Sequence, residues 1–203
     1  MADLSTTVGD VRLPTPVLTA SGCAAAGREL SAFVDLADLG GVVTKSIMSR
    51  PRAGRPTPRM VETPSGMLNS IGLQGPGIES FLAEDLPWLL RTGTRAVVSI
   101  AGGSTAEYAD LGRRLTQAWD EGLRPTAGEV NISCPNVANR GLDFACAPAS
   151  AASAVAAARE TLPGDVPLWV KLSPDVTDIV AIAGVARDAG ADALCLVNTT
   201  LGM

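Results

Sequence analysis

The chain has 203 residues, of which 46% are hydrophobic and 18% are charged, so it is long enough to bury one sizeable core. Its 16 lysines and arginines stand against 21 aspartates and glutamates, and the net charge of −5 argues against general binding of nucleic acid. No histidine occurs, which excludes Ser-His-Asp hydrolysis, Cys-His proteolysis and histidine-ligated zinc.

Apolar segments of β type alternate along the chain with longer helical patterns. A small hairpin is predicted first, with strands at 4–8 and 11–13 on either side of Gly9 and Asp10. The main predicted strands follow at 16–20, 41–45, 96–100, 129–132, 167–172 and 193–197. Helices are predicted between them at 29–39, 78–90, 105–119, 149–162 and 178–189. This alternation is typical of a parallel sheet covered by helices, and because no linker or repeat interrupts it, we expect one domain over residues 1–203.

Polar side chains lie at or just after the carboxyl end of each main strand. They are Ser21, Lys45, Ser99, Asn131, Lys171 and Asn198. In a (β/α)8 barrel these ends converge at one mouth, whereas an open doubly wound sheet spreads them along an edge. No G-x-G-x-x-G motif follows the first strand, so a dinucleotide-binding sheet lacks its usual support. We therefore predict an α/β fold of the TIM (β/α)8 barrel type, preceded by the small β-hairpin.

The number of predicted strands is too small for a complete barrel. Such a barrel has eight strands and about 250 residues, while the pattern yields about six main strands before the chain ends. Either the sequence is truncated or the fold closes in an unusual way, and we adopt truncation. The last strands, whose loops commonly bind the phosphate of a cofactor, are then expected to be missing.

Several features of the sequence bear on its cellular compartment. Residues 1–5 lack the basic and apolar regions of a signal peptide, and the alanine-rich stretch 149–158 is too short to span a bilayer. The cysteines are widely spaced and form no CxxC pair: Cys23, Cys134, Cys146 and Cys195. We expect a reduced, cytoplasmic protein that binds neither membrane nor nucleic acid. Cys23, Cys146 and Cys195 are predicted to be small buried residues.

The segment 131–136, Asn-Ile-Ser-Cys-Pro-Asn, places Cys134 between the carboxamides of Asn131 and Asn136. A thiolate can accept a proton, and carboxamides can donate and accept hydrogen bonds toward a planar heterocycle. Because the chain has no histidine, a base must be Cys, Lys, Asp, Glu or the single Tyr108. The segment resembles the active-site motif of the dihydroorotate dehydrogenases, in the branch that uses cysteine as its base. Serine replaces this cysteine in the membrane-associated branch.

The resemblance extends along nearly the whole chain. Segments 20–23 and 44–46 are similar to the early flavin-contacting segments of the family, and 56–74 is similar to its substrate loop. Further matches follow in the same order at 170–174 and 197–200. The best fit is the class 1, NAD-linked heteromeric subtype, whose catalytic subunit binds FMN. The resemblance therefore implies a barrel of the FMN-linked oxidoreductase type.

The resemblance also implies a reaction and a role for particular residues. Dihydroorotate would be oxidised to orotate in de novo UMP biosynthesis: Cys134 would take the proton from C5, and the hydride from C6 would pass to N5 of FMN. The residues implied to contact FMN are Ser21, Lys45, Ser46, Ser99, Asn131, Lys171 and Val197. Those implied to contact the substrate are Lys45, Asn69, Ser70, Ile71, Gly72, Leu73, Asn131, Asn136, Asn198 and Thr199. Lys171 would lie at the electron-accepting end of the isoalloxazine, where a cation favours the reduced flavin, and no metal is implied.

Two departures from the family pattern concern the site. Ser99 stands where an asparagine is common, which shortens one expected flavin contact, and the loop 137–148 diverges, with Cys146 in an unusual place. The subtype also implies a partner subunit that carries FAD and an iron–sulfur cluster and passes electrons to NAD. It further implies a homodimer of catalytic subunits within a heterotetramer. This chain itself has no cysteine cluster for such a centre.

Three other functions stay open. A dihydropyrimidine dehydrogenase-like flavoenzyme would act on a neutral substrate, and Asn136 favours dihydroorotate because that position commonly differs in those enzymes. A non-catalytic fragment could keep the motif without holding FMN, and retention of flavin would distinguish the two. The weakest alternative is a lyase or aldolase that uses Lys171 as a Schiff-base amine.

Overall fold

The structure is a computed structural model that describes residues 2–133 and 144–202. Within these residues the strands are β1 Thr6–Val8, β2 Val11–Leu13, β3 Val42–Val43, β4 Met60–Thr63, β5 Gly66–Asn69, β6 Ala96–Ile100, β7 Ala127–Asn131, β8 Leu168–Lys171 and β9 Ala193–Cys195. The α-helices are α1 Ile78–Ser80, α2 Leu86–Arg91, α3 Thr105–Asp120, α4 Pro148–Arg159 and α5 Ile179–Asp188. Short 3-10 turns lie at Leu30–Ala32, Leu36–Asp38 and Phe144–Cys146, and a π-helical turn at Phe81–Asp85 joins α1 to α2. In this part of the chain no helix is long and apolar enough to cross a membrane.

The main sheet has five parallel strands whose spatial order, β3-β6-β7-β8-β9, is also their order in the chain. Val97 of β6 is in register with Ala127 of β7, and Val170 of β8 is in register with Leu194 of β9. A doubly wound sheet reverses its strand order at a switch point, whereas a barrel adds each new strand on the same side. The order of the strands therefore confirms the predicted barrel and excludes the open sheet.

Side chains alternate between the two faces of this sheet, and in β6, β7 and β8 both faces are buried. On the outer face Val98, Val130 and Val170 belong to one hydrophobic cluster with Leu111 of α3 and Val155 of α4. The helices lie there because their apolar stripes need a buried partner surface. Since both faces are covered, the strands are almost continuously apolar, which is why they could be predicted from the sequence.

The predicted hairpin β1–β2 is confirmed, and it closes the inner face of the sheet at the amino-terminal ends of the strands. Val11 and Leu13 are buried in one cluster with Val97, Ala127 and Trp169. The hairpin therefore supplies the apolar floor of the barrel, while the polar residues at the other ends of the strands stay available for a site.

Replacing Leu13 by alanine is expected to lower the free energy of unfolding by about 2–5 kcal/mol, because it leaves a cavity in this floor. Leu13 is 0% exposed. Urea denaturation followed by circular dichroism measures the change. Thr7→Ala, at an exposed position of the same hairpin, is the control and should change the free energy by less than about 0.5 kcal/mol. A loss for Leu13→Ala no larger than that of the control would show that the hairpin is not part of the core.

The prediction of a helix at 29–39 is wrong. The segment forms two short 3-10 turns, with Asp35 in an extended conformation between them. The Asp35 carboxylate accepts a hydrogen bond from the Ala37 amide, so this residue caps a new turn instead of continuing a helix. Leu36 is buried in a cluster with Val42 and Leu89, but Phe33 is 84% exposed, so the segment buries no continuous apolar stripe that would support a longer helix.

The other predicted elements are confirmed with changes in detail. Helices α3, α4 and α5 match their predicted positions within a few residues, and the helix predicted at 78–90 contains the π-helical turn. Pro87 follows that turn and has no amide hydrogen for the regular helical ladder. The strand predicted at 16–20 is reduced to a bridge between Leu18 and Gly41, and Pro16 likewise cannot donate to a ladder.

A second hairpin, β4–β5, lies within the predicted substrate loop and was not predicted. Met60 pairs with Asn69, and Thr63 pairs with Gly66. Nearly all of its residues are exposed, so its apolar side chains show no alternation of burial that the sequence could have revealed.

The prediction that the three cysteines outside the motif are buried is wrong for two of them. Cys23 and Cys146 are exposed, because both lie in turns outside the sheet, and Cys195 of β9 is half-buried. Exposure leaves the first two thiols without a packing role.

Candidate active site

Four of the predicted site residues meet at the carboxyl ends of β3, β6 and β7. The hydroxyl oxygens of Ser46 and Ser99 are 2.9 Å apart, and the Asn131 side-chain amide donates to Ser46 Oγ over 2.9 Å. Ser21 Oγ lies 3.4 Å from Ser46 Oγ. Parallel strands end at the same edge, so residues that are distant in the sequence share one hydrogen-bonded network.

Further hydrogen bonds extend this network to the segment after β9. Asn131 Oδ1 accepts from the Ser133 amide at 3.1 Å and from the Ser133 hydroxyl at 2.8 Å. Asn198 Nδ2 donates to Ser133 Oγ over 2.6 Å, and the Asn198 amide donates to the Leu172 carbonyl over 3.0 Å. Ser133 was not predicted as a site residue, although its position inside the 131–136 motif was a signal. Amides and hydroxyls in one array can donate and accept along the edge of a planar heterocycle.

Both lysines of the chain, Lys45 and Lys171, lie near this network. Lys171 ends β8, is in register with Asn131 and is only 8% exposed. Within residues 2–133 and 144–202 its ammonium makes no hydrogen bond or ion pair. A buried ammonium without such contacts is costly, which suits Lys171 to contact an anionic or electron-rich atom of a ligand.

A cavity of about 620 Å³ opens beside Lys45. Its volume is in the range of small-molecule sites, about 300–1,000 Å³. Residues that line it include Gly22, Thr44, Ile47, Arg52, Ile71 and Gln74. Gly22 has φ +91°, a backbone conformation that favours glycine, and a Cβ at this position would lie 3.7 Å from Lys45 Nζ. The cavity and the hydrogen-bonded network both border the segment 44–46.

The predicted substrate-loop residues differ in where they lie. Ile71 lines the cavity, and Leu73 packs beside Met48. The Thr199 amide donates to Asn198 Oδ1 over 2.8 Å, which joins it to the network. Among the predicted contacts that the structure describes, six neither line this cavity nor donate a side chain to the network: Asn69, Ser70, Gly72, Leu73, Lys171 and Val197.

Cys134 and Asn136 lie outside the described residues, so their roles stay predictions. Tyr108, another possible base, is buried, and its hydroxyl donates to the Asn131 backbone carbonyl over 2.8 Å. This hydrogen bond anchors the end of β7, which makes Tyr108 a support of the strand that carries the motif.

A buried carboxylate below the mouth was not predicted as part of the site. Glu129 precedes Asn131 by two residues in β7, so both side chains face the barrel interior. Glu129 is 2% exposed, and its Oε1 accepts no hydrogen bond within the described part of the chain. Burial, followed by the Glu129 carboxylate, raises the pKa of the Cys195 thiol, whereas Lys171 lowers that pKa. An acidic residue within an apolar strand was the available signal.

The fold and the mouth together define a (β/α)-barrel protein with a polar, largely buried hydrogen-bonded network at the carboxyl ends of its strands. A family model described as dihydroorotate dehydrogenase matches residues 3–203. The chain belongs to the dihydroorotate dehydrogenase family, as the motif at 131–136 predicted.

Known relatives and a solved structure agree with this assignment. The dihydroorotate dehydrogenase B (NAD(+)) catalytic subunit of Pelobacter propionicus is 50% identical over 201 residues, which are 99% of this chain and 64% of the relative. The subunit of the same name from Geotalea daltonii is 46% identical over 202 residues, again 99% and 64% of the two chains. A crystal structure of ligand-free DHODH from Eimeria tenella has a TM-score of 0.77 at 22% identity, covering 98% of this chain and 62% of that one, and it supports the barrel fold. The chain thus spans 64% of the length of these two relatives.

Proposed function

We propose that this chain carries the catalytic site of a dihydroorotate dehydrogenase, which oxidises dihydroorotate to orotate in pyrimidine biosynthesis with FMN as hydride acceptor. One observation carries the proposal: in a member of this family, buried Ser46, Ser99 and Asn131 form a single network at the barrel mouth. The NAD-linked subtype is supported by relatives that are named as B-type catalytic subunits.

The residues at the mouth fit a flavin, the class of cofactor on which the family depends. The pyrimidine edge of an isoalloxazine presents both donors and acceptors, and hydroxyls and amides such as those of Ser99 and Asn131 can pair with either kind. The Lys171 ammonium suits the end of the ring that gains negative charge on reduction. When bound, the flavin supplies the acceptor for the hydride that leaves dihydroorotate.

The remaining chemistry belongs to the substrate and to the residues around it. Cys134 is the proposed base for the C5 proton of dihydroorotate. Asn131, Asn136 and Asn198 would hold the amide and carboxylate edges of the substrate, since each side chain offers a donor and an acceptor. Lys45, beside the cavity, would add positive charge next to the anionic carboxylate.

The same family supports a proposal about partners. Relatives named as catalytic subunits of an NAD(+) enzyme suggest a second subunit, and we propose that it carries FAD and an iron–sulfur cluster and passes electrons to NAD. The catalytic subunits would form a homodimer within a heterotetramer in the cytoplasm. Copurification of this chain with the coexpressed candidate subunit, followed by mass measurement of the complex, tests this assembly.

The visible absorption spectrum of the purified chain tests the main proposal directly. We expect a flavin band that bleaches when dihydroorotate is added without oxygen, because hydride transfer reduces the flavin. Dihydrouracil, which lacks the carboxylate, should leave the band unchanged. A colourless protein that takes up no added FMN would contradict cofactor binding by this chain. Bleaching by dihydrouracil alone would instead favour a dihydropyrimidine dehydrogenase.

A further inference from the structure

The segment 21–28 forms one wall of the cavity near the mouth. Gly22 and Ala25 of this segment line the cavity. At its start, Ser21 Oγ lies 3.4 Å from Ser46 Oγ of the hydrogen-bonded network. The segment consists of turns and belongs to no helix or strand, so no regular ladder of hydrogen bonds fixes it. Individual contacts must therefore hold this wall in place.

Ala25 has an unfavourable backbone conformation within the wall. Its φ is +45°, in the left-handed region that favours glycine. A residue with a side chain stays in this region only when the surrounding contacts hold it there. One such contact comes from the site itself, because the Ala25 carbonyl accepts a hydrogen bond from the Lys45 backbone amide over 2.9 Å. A strained wall is expected to relax when a second contact that holds it is removed.

Arg28 supplies that second contact at the end of the segment. Its Nε lies 3.1 Å from Asp85 Oδ1, and its Nη2 donates to the Glu84 carbonyl over 3.0 Å. Its guanidinium also lies over Trp88, 4.7 Å from the centroid of the ring. These partners belong to the π-helical turn and to α2, and Phe81 and Asp85 of that turn also line the cavity. The Arg28 side chain therefore joins two separate parts of the cavity lining.

We propose that Arg28 is a positioning residue: by binding the π-helical turn and α2, it holds the segment 21–28 in place, so that the cavity beside Lys45 is formed before a ligand arrives. The inference rests on the proposed function only for the identity of that ligand. A ligand that enters a preformed cavity does not have to order its wall, and apparent affinity falls with the fraction of molecules in which the wall is in place. Arg28 thus acts on binding and not on the chemical step.

Two neighbouring backbone amides report the position of the wall without any ligand. The Lys45 amide donates to Ala25 in the wall, whereas the Thr44 amide donates to Val97 in the sheet over 3.0 Å. Opening of the wall exposes the first amide to exchange and leaves the second protected. Hydrogen exchange resolved by residue, measured by NMR on the purified chain, therefore separates movement of the wall from loss of the fold.

Replacing Arg28 by alanine should speed exchange of the Lys45 amide by at least about tenfold, because an ion pair, a hydrogen bond and a cation–π contact are lost together. Exchange at Thr44 should stay within about twofold of wild type. In the flavin-loaded chain, KM for dihydroorotate should rise about threefold to tenfold with kcat within about twofold, because each binding event has to order the wall. Arg28→Lys keeps the cation and should show smaller changes in both measurements. Arg124→Ala removes another exposed arginine from an ion pair, with Asp165, and should change neither.

Circular dichroism shows which variants are folded. An unchanged Lys45 exchange rate in folded Arg28→Ala would overturn the proposal, and so would faster exchange with an unchanged KM, since Arg28 would then be only structural. Equal changes in the lysine and alanine variants would also contradict it, because lysine keeps the charge that pairs with Asp85. If Arg28→Ala does not fold, Asp85→Asn decides, since it removes the ion pair from the other side, and an unchanged Lys45 rate in it would refute the proposal. Faster exchange in a chain that binds no flavin would refute the proposed function and leave the role of Arg28 in the wall standing.

Discussion

Replacing Cys134 by alanine is expected to slow the reduction of bound flavin by dihydroorotate by about 100- to 10,000-fold, the usual contribution of a positioned base. The flavin itself should stay bound, because the described network that would hold it is formed by Ser46, Ser99 and Asn131. Anaerobic stopped-flow absorbance at the flavin band measures the rate.

Two further cysteine variants make the Cys134 result specific. Cys134→Ser should keep part of the activity and gain more of it as the pH rises, because a hydroxyl loses its proton less readily than a thiol. Cys146→Ala changes an exposed thiol and should leave the rate as it is. If Cys134→Ala reduced its flavin within threefold of the wild-type rate, the assignment of the base would be wrong.

Lys171→Met should give the second large effect, a fall of about 100- to 1,000-fold in the same rate, as when one preorganised donor to developing charge is removed. Lys171 is the buried ammonium at the end of β8, and methionine keeps most of its length without the charge. We also expect the midpoint potential of the bound flavin to fall, since a cation favours the reduced form. Reductive titration against a reference dye measures that potential.

The arginine variant is the control for charge at this position. Lys171→Arg keeps a cation and should retain a potential closer to wild type, although its planar group packs differently. Equal potentials in the methionine and arginine variants would show that Lys171 acts only through packing. In that case the flavin end next to β8 would have to be reassigned.

Local patterns explain which parts of the fold could be predicted. Strands β6, β7 and β8 are buried on both faces, so their apolar runs mark them in the sequence. The segment 29–39 buries Leu36 but leaves Phe33 exposed, and local propensity there favoured a longer helix that tertiary packing does not support. The hairpin β4–β5 is exposed, and exposed strands lack the burial pattern on which prediction depends.

The types of residue in the site could be predicted from the sequence better than the contacts between them. Residues at strand ends were expected to converge, and Ser21, Ser46, Ser99 and Asn131 do so. Ser133 and Glu129 were missed although each had a signal in the sequence, because their contacts depend on strand register and not on neighbouring residues. The roles of all these residues toward flavin and substrate stay predictions.

The amino-acid sequence by itself determined the family, the alternation of strands and helices, and the kinds of polar residue that end each strand. These properties depend on neighbouring residues, whose periodicity and spacing are visible along the chain. Only the tertiary structure decided that the Asn131 side chain forms hydrogen bonds with both Ser46 and Ser133, and that Glu129 lies beside Cys195. Such contacts depend on strand register, and register is set by the packing of the whole sheet against its helices and its hairpin floor.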